Sequence, residues 1–144
     1  MTGQPENTAS HGSIQHLNPD GLPKNPAFTQ AVVVTGPAKT IYIGMQNAVD
    51  ASRTIIGKGD IAAQTEQVLK NIQACLEAAG ARPGHIIQWN IYIAQGQPVQ
   101  PAFEVGMRWW GSRPNPPANS VLFVSTFTPP DFLIGIDAIA VVPQ

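Results

Sequence analysis

The sequence contains more strand-like segments than helix-like ones. Only two segments, 60–79 and 99–111, place apolar residues at the spacing of an amphipathic helix. Five segments are rich in β-branched and aromatic residues, namely 31–35, 40–44, 85–93, 120–126 and 132–142. Because two short helices cover only one face of a sheet, the sequence predicts an α+β domain whose second sheet face needs another cover.

Turn and cap signals set the predicted order of elements. Gly36-Pro37-Ala38-Lys39 separates the first two strands and predicts a hairpin. Asp60 is placed to cap the first helix at its start, and Gly80 is placed to end it in a left-handed conformation. With 127–131 joining the last two strands, the predicted order is β-β-α-β-α-β-β, a mixed sheet with two helices on one face.

The predicted strands do not alternate cleanly between apolar and polar residues. Large apolar side chains recur along them at Ile41, Ile43, Val121, Phe123, Phe132, Ile134, Ile136 and Ile139. A sheet face of this character marks an interaction surface when exposed to water. We therefore expect a homo-oligomer whose sheets pack together, the alternative being that the N-terminal segment folds back over the face.

Residues 1–26 are polar, rich in turn-forming residues and without periodicity. This predicts a flexible N-terminal arm, with the domain over 27–144. His11 and His16 lie in the arm, where they are either solvated or able to capture a metal ion. Cys75 is the only cysteine, which excludes an internal disulfide, and its place in the apolar helix stripe predicts a core residue.

Charge excludes several classes of function. Charged residues make up 12% of the 144 residues, and the net charge is −1. Binding that depends on phosphate neutralisation or on an anionic membrane surface needs a basic patch, so we expect no nucleic-acid and no membrane partner. The sequence has no apolar run of about 20 residues, and its start lacks the pattern of a signal peptide. We expect a cytoplasmic protein.

Five segments, in order along 26–142, resemble the RidA/YjgF family of reactive-intermediate (enamine/imine) deaminases. They are A-F-T-Q-A-V at 27–32, I-Y-I-G-M-Q at 41–46, G-D-I-A-A-Q-T at 59–65 with N-I at 71–72, P-A-N-S-V at 117–121 and I-D-A-I-A-V at 136–141. The resemblance implies a chorismate-mutase-like fold and a homotrimer with three interface clefts. It also implies hydrolysis of 2-imino acids to 2-keto acids and ammonia, with no metal and no organic cofactor.

The site residues that the resemblance implies are replaced in this sequence. Asn119 stands where the family has an arginine that pairs with the substrate carboxylate, and Gly135 stands where it has a glutamate that positions water. Gly44 and Met45 replace the serine and glycine of its S-G-Q motif, and Phe28 replaces a tyrosine. Losing the charged clamp should weaken carboxylate binding by roughly 2–5 kcal/mol. The two glycines predict a larger, less charged cleft that favours a bulkier, neutral ligand.

Other side chains are candidates for the same cleft. Asp137 shares a strand face with Gly135, so it is either a catalytic base or a structural partner at a subunit contact. Tyr92, on one strand face with Asn90, lines a polar pocket or makes interface hydrogen bonds. Val121 follows Asn119 on the same face and is expected in the cleft. Trp109 and Trp110 could wall the cleft, with Trp110 continuing the apolar stripe of the second helix.

The resemblance and the replaced site residues leave two candidate functions. The first is a RidA/YjgF-like protein that binds a small metabolite in inter-subunit clefts. The alternative is an active enamine/imine deaminase or related hydrolase that uses Asp137 or backbone amides. Arg53 and Lys58 follow the second strand, where they could supply a cation or simply be solvated. Family members have also been described as endoribonucleases, which the composition does not support.

Overall fold

The computed structural model describes residues 11–144, so the first ten residues of the predicted arm and any role of theirs lie outside the described residues. Six strands are present: β1 Ser13–Leu17, β2 Ala31–Thr35, β3 Ala38–Gln46, β4 Ile86–Ala94, β5 Ala118–Val124 and β6 Ile134–Pro143. Two α-helices, α1 Ile61–Ala78 and α2 Gln100–Trp110, lie between the strands. A short 3-10 turn, Pro83–His85, leads into β4.

The main sheet has four strands in the order β3-β6-β4-β5. Strand β6 runs antiparallel to β3 and β4, and β5 runs parallel to β4. Both helices pack on one face, and the core lies between them and the sheet, around Leu69, Ile72, Ile86 and Ile134. The predicted α+β class and the two helices on one face of a mixed sheet are confirmed.

Helix α1 begins and ends where its cap signals predict. The Asp60 side chain accepts a hydrogen bond from the Ala63 N–H at 3.1 Å, which satisfies a free donor of the first turn. Gly80 follows the helix with φ at +73°, a conformation that an L side chain rarely adopts. Cys75 is a free thiol packed against the core, as predicted.

The predicted hairpin between the first two strands is wrong. Strand β2 pairs with β1, whereas β3 pairs with β6, so β2 and β3 belong to different sheets. The reason is β1 itself: Ser13–Leu17 lies in the predicted flexible arm but pairs antiparallel with β2 from Ser13–Thr35 to Leu17–Ala31. Its five-residue alternation is too short to stand out from the turn-forming residues around it. Residues 11–144 therefore form one more strand than predicted.

The apolar strand residues also divide differently between the faces. Ile43, Ile134 and Ile136, expected on the uncovered face, belong to the core beneath the helices. We call the other side the open face; strand pairing and alternation place there Tyr42, Gln88, Asn90, Tyr92, Leu122, Gly135, Asp137 and Ile139. It combines apolar and polar side chains, and Tyr42 is 78% exposed and Leu122 50% exposed.

Candidate functional site

A groove runs along the edge of the sheet between α2 and β5, with a volume of about 270 Å³. Most of its lining is apolar or aromatic: Phe28, Trp89, Ile91, Phe103, Met107, Trp110, Val121 and the prolines at 26, 116 and 117. Asn25 and Asn119 supply the only side-chain amides, and no charged side chain among the described residues lines it. We call this the aromatic groove. Its shape and chemistry suit an uncharged, largely apolar molecule.

Two tryptophans, Trp89 and Trp110, form one wall of the aromatic groove, and Trp109, which was also expected there, packs against Trp89 outside the lining. The Trp89 ring lies 5.9 Å from that of Trp109 and 6.1 Å from that of Trp110, centroid to centroid. The Trp110 Nε1–H donates to the Arg113 carbonyl at 2.9 Å. Within the described part of the chain, the buried Trp89 Nε1 has no hydrogen-bond partner. Trp110 is thus both core, as predicted, and groove wall.

The segment before β2 closes one end of the aromatic groove. Thr29 is almost fully buried, and its hydroxyl donates to the Pro116 carbonyl at 2.5 Å. The Thr29 N–H donates to the Pro117 carbonyl at 3.2 Å. The Asn25 side chain accepts from the Ala27 N–H at 2.8 Å, which fixes the turn. These bonds hold the segment that carries Phe28 against the residues directly before β5.

A polar cluster occupies the open face, which lies on the other side of the sheet. The Asn90 Nδ2 donates to the Asp137 Oδ1 at 2.9 Å, across directly paired positions of β4 and β6. Tyr92 follows Asn90 on the same face. Desolvation raises the pKa of the Tyr92 hydroxyl, and the charge of Asp137 raises it further. We call Asn90, Tyr92 and Asp137 the carboxylate cluster.

The space above Gly135 is filled, which corrects the prediction of a larger cleft. A Cβ atom at Gly135 would lie 2.6 Å from the Met45 Sδ and 2.8 Å from the Asn47 Nδ2. The Asn47 amide also donates to the Ile134 carbonyl at 3.2 Å. Met45 and Gly135 are therefore complementary: the methionine takes the room that a side chain at 135 would need. Next to Gly44, by contrast, a Cβ would meet nothing within 4 Å.

Polar residues of α1 position the strands that carry these side chains. The buried Gln64 donates to the Asp131 carbonyl at 2.9 Å and accepts from the Leu133 N–H at 2.7 Å, directly before β6. Asn71 donates to the carbonyls of Asn47 and Val49, both at 3.0 Å, directly after β3. The glutamine and asparagine of the Q-T…N-I segment thus have structural roles.

The predicted cleft residues fall into two groups on opposite faces of the sheet. Phe28, Asn119 and Val121 line the aromatic groove. Gly44, Met45, Tyr92, Gly135 and Asp137 lie on the open face or at its edge. One chain does not unite them, because successive residues of a strand point to opposite faces.

The two loop cations lie away from the aromatic groove, whereas three residues not expected in a cleft line it. Arg53 lies in a loop at φ +67°, and Lys58 pairs with Asp131 at 3.8 Å, both outside the groove lining. Sequence reasoning missed Asn25, Trp89 and Phe103 as groove residues. Phe103 belongs to the apolar stripe of the second helix, which ordinarily indicates a core residue. Asn25 lies among turn-forming residues, so the sequence indicated only a turn there.

Neither a metal centre nor a membrane span is found in the described part of the chain. Residues 11–144 hold no group of three or more His, Cys, Asp or Glu side chains arranged to bind a metal ion. Within the same range, neither helix has the length and apolar character needed to cross a bilayer.

Comparison with known proteins identifies the family. Residues 22–142 match the family model described as Endoribonuclease L-PSP. A RutC family protein of Pyrococcus horikoshii is 38% identical over 100 residues, covering 69% of this chain and 77% of that protein. The 2-iminobutanoate/2-iminopropanoate deaminase of Homo sapiens is 29% identical over 114 residues, covering 79% of each chain. The crystal structure of YyfB, a Rid-family protein of Yersinia pestis, is 31% identical with a TM-score of 0.78, covering 90% and 98% of the two chains. The chain belongs to the RidA/YjgF family.

Proposed function

We propose that the protein binds a small, uncharged metabolite in clefts formed between copies of itself, arranged as a homotrimer. The observation that carries this proposal is the aromatic groove, where Asn119 stands at the position of the family's arginine. The groove offers aromatic rings and two amides to a ligand, and no charge.

The energetics disfavour an anionic ligand there. A carboxylate that leaves water for an apolar groove loses hydration that only a paired charge or several hydrogen bonds can replace. The amide of Asn119 donates a hydrogen bond but does not neutralise the charge, whereas an arginine does both through two parallel bonds. Turnover of simple 2-imino acids, which carry a carboxylate, should therefore be poor.

The placement of the site residues supports assembly. Phe28 and Asn119 lie at one surface of a chain, and Met45, Tyr92 and Asp137 lie at another. Both surfaces expose large apolar side chains, such as Phe123 at one and Leu122 at the other, so a neighbouring copy would bury apolar area while joining the two groups. A closed ring places every such pair in contact.

A matched pair of ligands tests the uncharged specificity. Benzamide and benzoate have nearly the same shape and differ in charge, and their affinities are measured by calorimetry at neutral pH. We expect benzamide to bind at least ten times more tightly than benzoate. Tighter binding of benzoate would contradict the proposal, and failure of both would assign the groove to packing alone.

The carboxylate cluster favours a second candidate, an enamine/imine deaminase that uses Asp137. Its carboxylate is oriented by Asn90 and lies on the face of Tyr92, so it is placed to accept a proton from water. The human relative's name states deaminase activity. In this case Asp137→Asn should abolish turnover of an uncharged imine without changing assembly. Asp131→Asn, which alters an exposed carboxylate paired with Lys58, is the matched control.

The cytoplasmic location stays a prediction from the sequence, as does the absence of a nucleic-acid partner. Net charge is −1, and binding to polyanions at physiological salt depends on released counterions. Retention on a heparin column at physiological salt would contradict the second expectation.

A further inference from the structure

A second groove adjoins the aromatic groove without sharing a lining residue with it, and it is separate from the carboxylate cluster. Four parts of the chain form it: β1, α1, the 3-10 turn before β4 with Arg82 ahead of it, and the loop after α2. Its volume is about 770 Å³, larger than that of the aromatic groove. Its polar lining comprises His16, Gln73, Arg82, His85, Arg113 and Asn115, with no carboxylate among the described residues. We call this the basic groove.

The two arginines of the basic groove are free of acidic partners in the described part of the chain. The ion pairs within residues 11–144 involve Lys24, Lys58 and Arg108, and neither Arg82 nor Arg113. Arg113 is nevertheless held in place, because its Nη1 donates to the carbonyls of Trp109 and Trp110 at 2.9 and 2.8 Å. A guanidinium fixed in this way has lost much of its rotational freedom before any ligand arrives.

Hydrogen bonds at Nδ1 fix the tautomer of each histidine in the basic groove, and they leave Nε2 available to a ligand. The His85 Nδ1 accepts from the Arg82 N–H at 2.9 Å, so the neutral ring carries its proton on Nε2 as a free donor. Because the Thr29 hydroxyl donates to the Pro116 carbonyl, the His16 Nδ1, 3.3 Å from that hydroxyl, is a donor. His16 then presents Nε2, which donates only when the ring is protonated.

Cationic side chains act on the His85 imidazole. Desolvation lowers the pKa of His85, and the charges of Arg82 and Lys39 lower it further. Desolvation also lowers the pKa of His16. Although the net charge of the whole chain is −1, two arginines and several hydrogen-bond donors converge on this one groove.

We propose that the basic groove binds a small molecule through a phosphate or diphosphate group. Guanidinium forks match the oxygens of a phosphate, and two of them from separate segments suit a group with more than one charge. The volume leaves room for the rest of an organic phosphate ester beyond the anion itself. This site shares no lining residue with the aromatic groove, and its occupant need not be related to the ligand proposed there.

Calorimetry with inorganic pyrophosphate at fixed ionic strength tests the proposal. We expect saturable binding that weakens at least tenfold in Arg82→Gln and in Arg113→Gln. Arg108→Gln is the matched control, since Arg108 is an exposed arginine of α2 paired with Glu66 at 3.6 Å. Near-UV circular dichroism shows whether each variant keeps its fold, and Arg82→Gln leaves the carbonyl bonds of Arg113 intact if the other variant does not fold.

Three results would overturn the proposal. These are no binding of pyrophosphate at millimolar concentration, equal binding in wild type and Arg82→Gln, and binding of citrate as tight as that of pyrophosphate. An NMR titration of the imidazole protons gives an independent readout, because a bound anion should raise the pKa of His85. Loss of benzamide binding would leave these outcomes unaffected, so the two proposals fail separately.

Discussion

The aromatic groove and the carboxylate cluster use opposite faces of the same sheet and share strand β4. In β4, Trp89 and Ile91 face the groove, while Asn90 and Tyr92 face the cluster. The groove is apolar and partly enclosed, whereas the cluster is polar and lies on the exposed face. Alternation along a strand thus gives one sheet two surfaces of different chemistry.

The contrast between the two surfaces shows how a site can be divided between copies of a chain. Burying an apolar wall against any well-fitting surface is favourable, by roughly 25 cal/mol per Å² of apolar area buried. A hydrogen-bonded carboxylate instead orients a bound ligand and can accept or donate a proton. If copies meet along these faces, each contributes one kind of surface to a shared cleft.

The largest effect is expected on the cluster side, from Gly135→Glu. A side chain there collides with Met45 and Asn47, so the variant should lose about 3 kcal/mol of unfolding free energy. Met45→Gly should recover part of that loss when combined with it, because it clears the space. Urea denaturation of the four proteins in this cycle measures the coupling, and strict additivity would contradict the contact.

A smaller effect is expected on the groove side, from Asn119→Arg. The new guanidinium supplies the missing charge, so the preference for benzamide over benzoate should fall at least tenfold, about 1.4 kcal/mol. Calorimetry measures both ligands. Gln95→Arg, at an exposed loop position that lines neither groove, is the control for added charge. An unchanged preference in Asn119→Arg would show that the ligands bind elsewhere.

Gly106→Ala should stabilise the protein by about 0.5–1 kcal/mol. Gly106 lies inside α2, where alanine is the better helix former, and an added Cβ meets nothing within 4 Å. The melting temperature measures the change. Gly80→Ala is the opposite control, because φ +73° disfavours a side chain, and it should destabilise. A loss of stability in Gly106→Ala would mean that the groove wall needs the glycine.

The smallest effect concerns the titration of Tyr92. Its pKa is raised in the folded chain, so its contribution to stability is complete below the unfolded pKa and is lost as pH rises through the folded one. Asp137→Asn should lower the pKa of Tyr92 toward the ordinary value, leaving the part due to desolvation. Ultraviolet titration in a Tyr42→Phe background isolates this residue, since the chain has two tyrosines. No shift would place the carboxylate away from the hydroxyl.

Much of the fold could be predicted because its signals are local. The Asp60 cap, the apolar stripe of α1 and the Gly80 terminator each act within a few residues of one another. The pairing of β2 could not be predicted in this way. It depends on β1, a short strand among turn-forming residues, and on contacts of Thr29 with a loop 87 residues away.

The candidate site could be predicted residue by residue but not as an arrangement. Family resemblance identified Asn119, Gly135 and Asp137, yet only the pairing of strands separates them onto two faces. The sequence also could not predict that Met45 fills the space above Gly135, because this contact depends on the irregular register at the end of β3.

Sedimentation equilibrium at micromolar concentration tests most directly whether copies share their clefts. We expect a particle of three times the 15.3 kDa chain mass, and a smaller one for Leu122→Lys, which places a charge among the exposed apolar side chains of the open face. A stable wild-type particle of one chain mass would contradict shared clefts, because the groove and the cluster would then never meet.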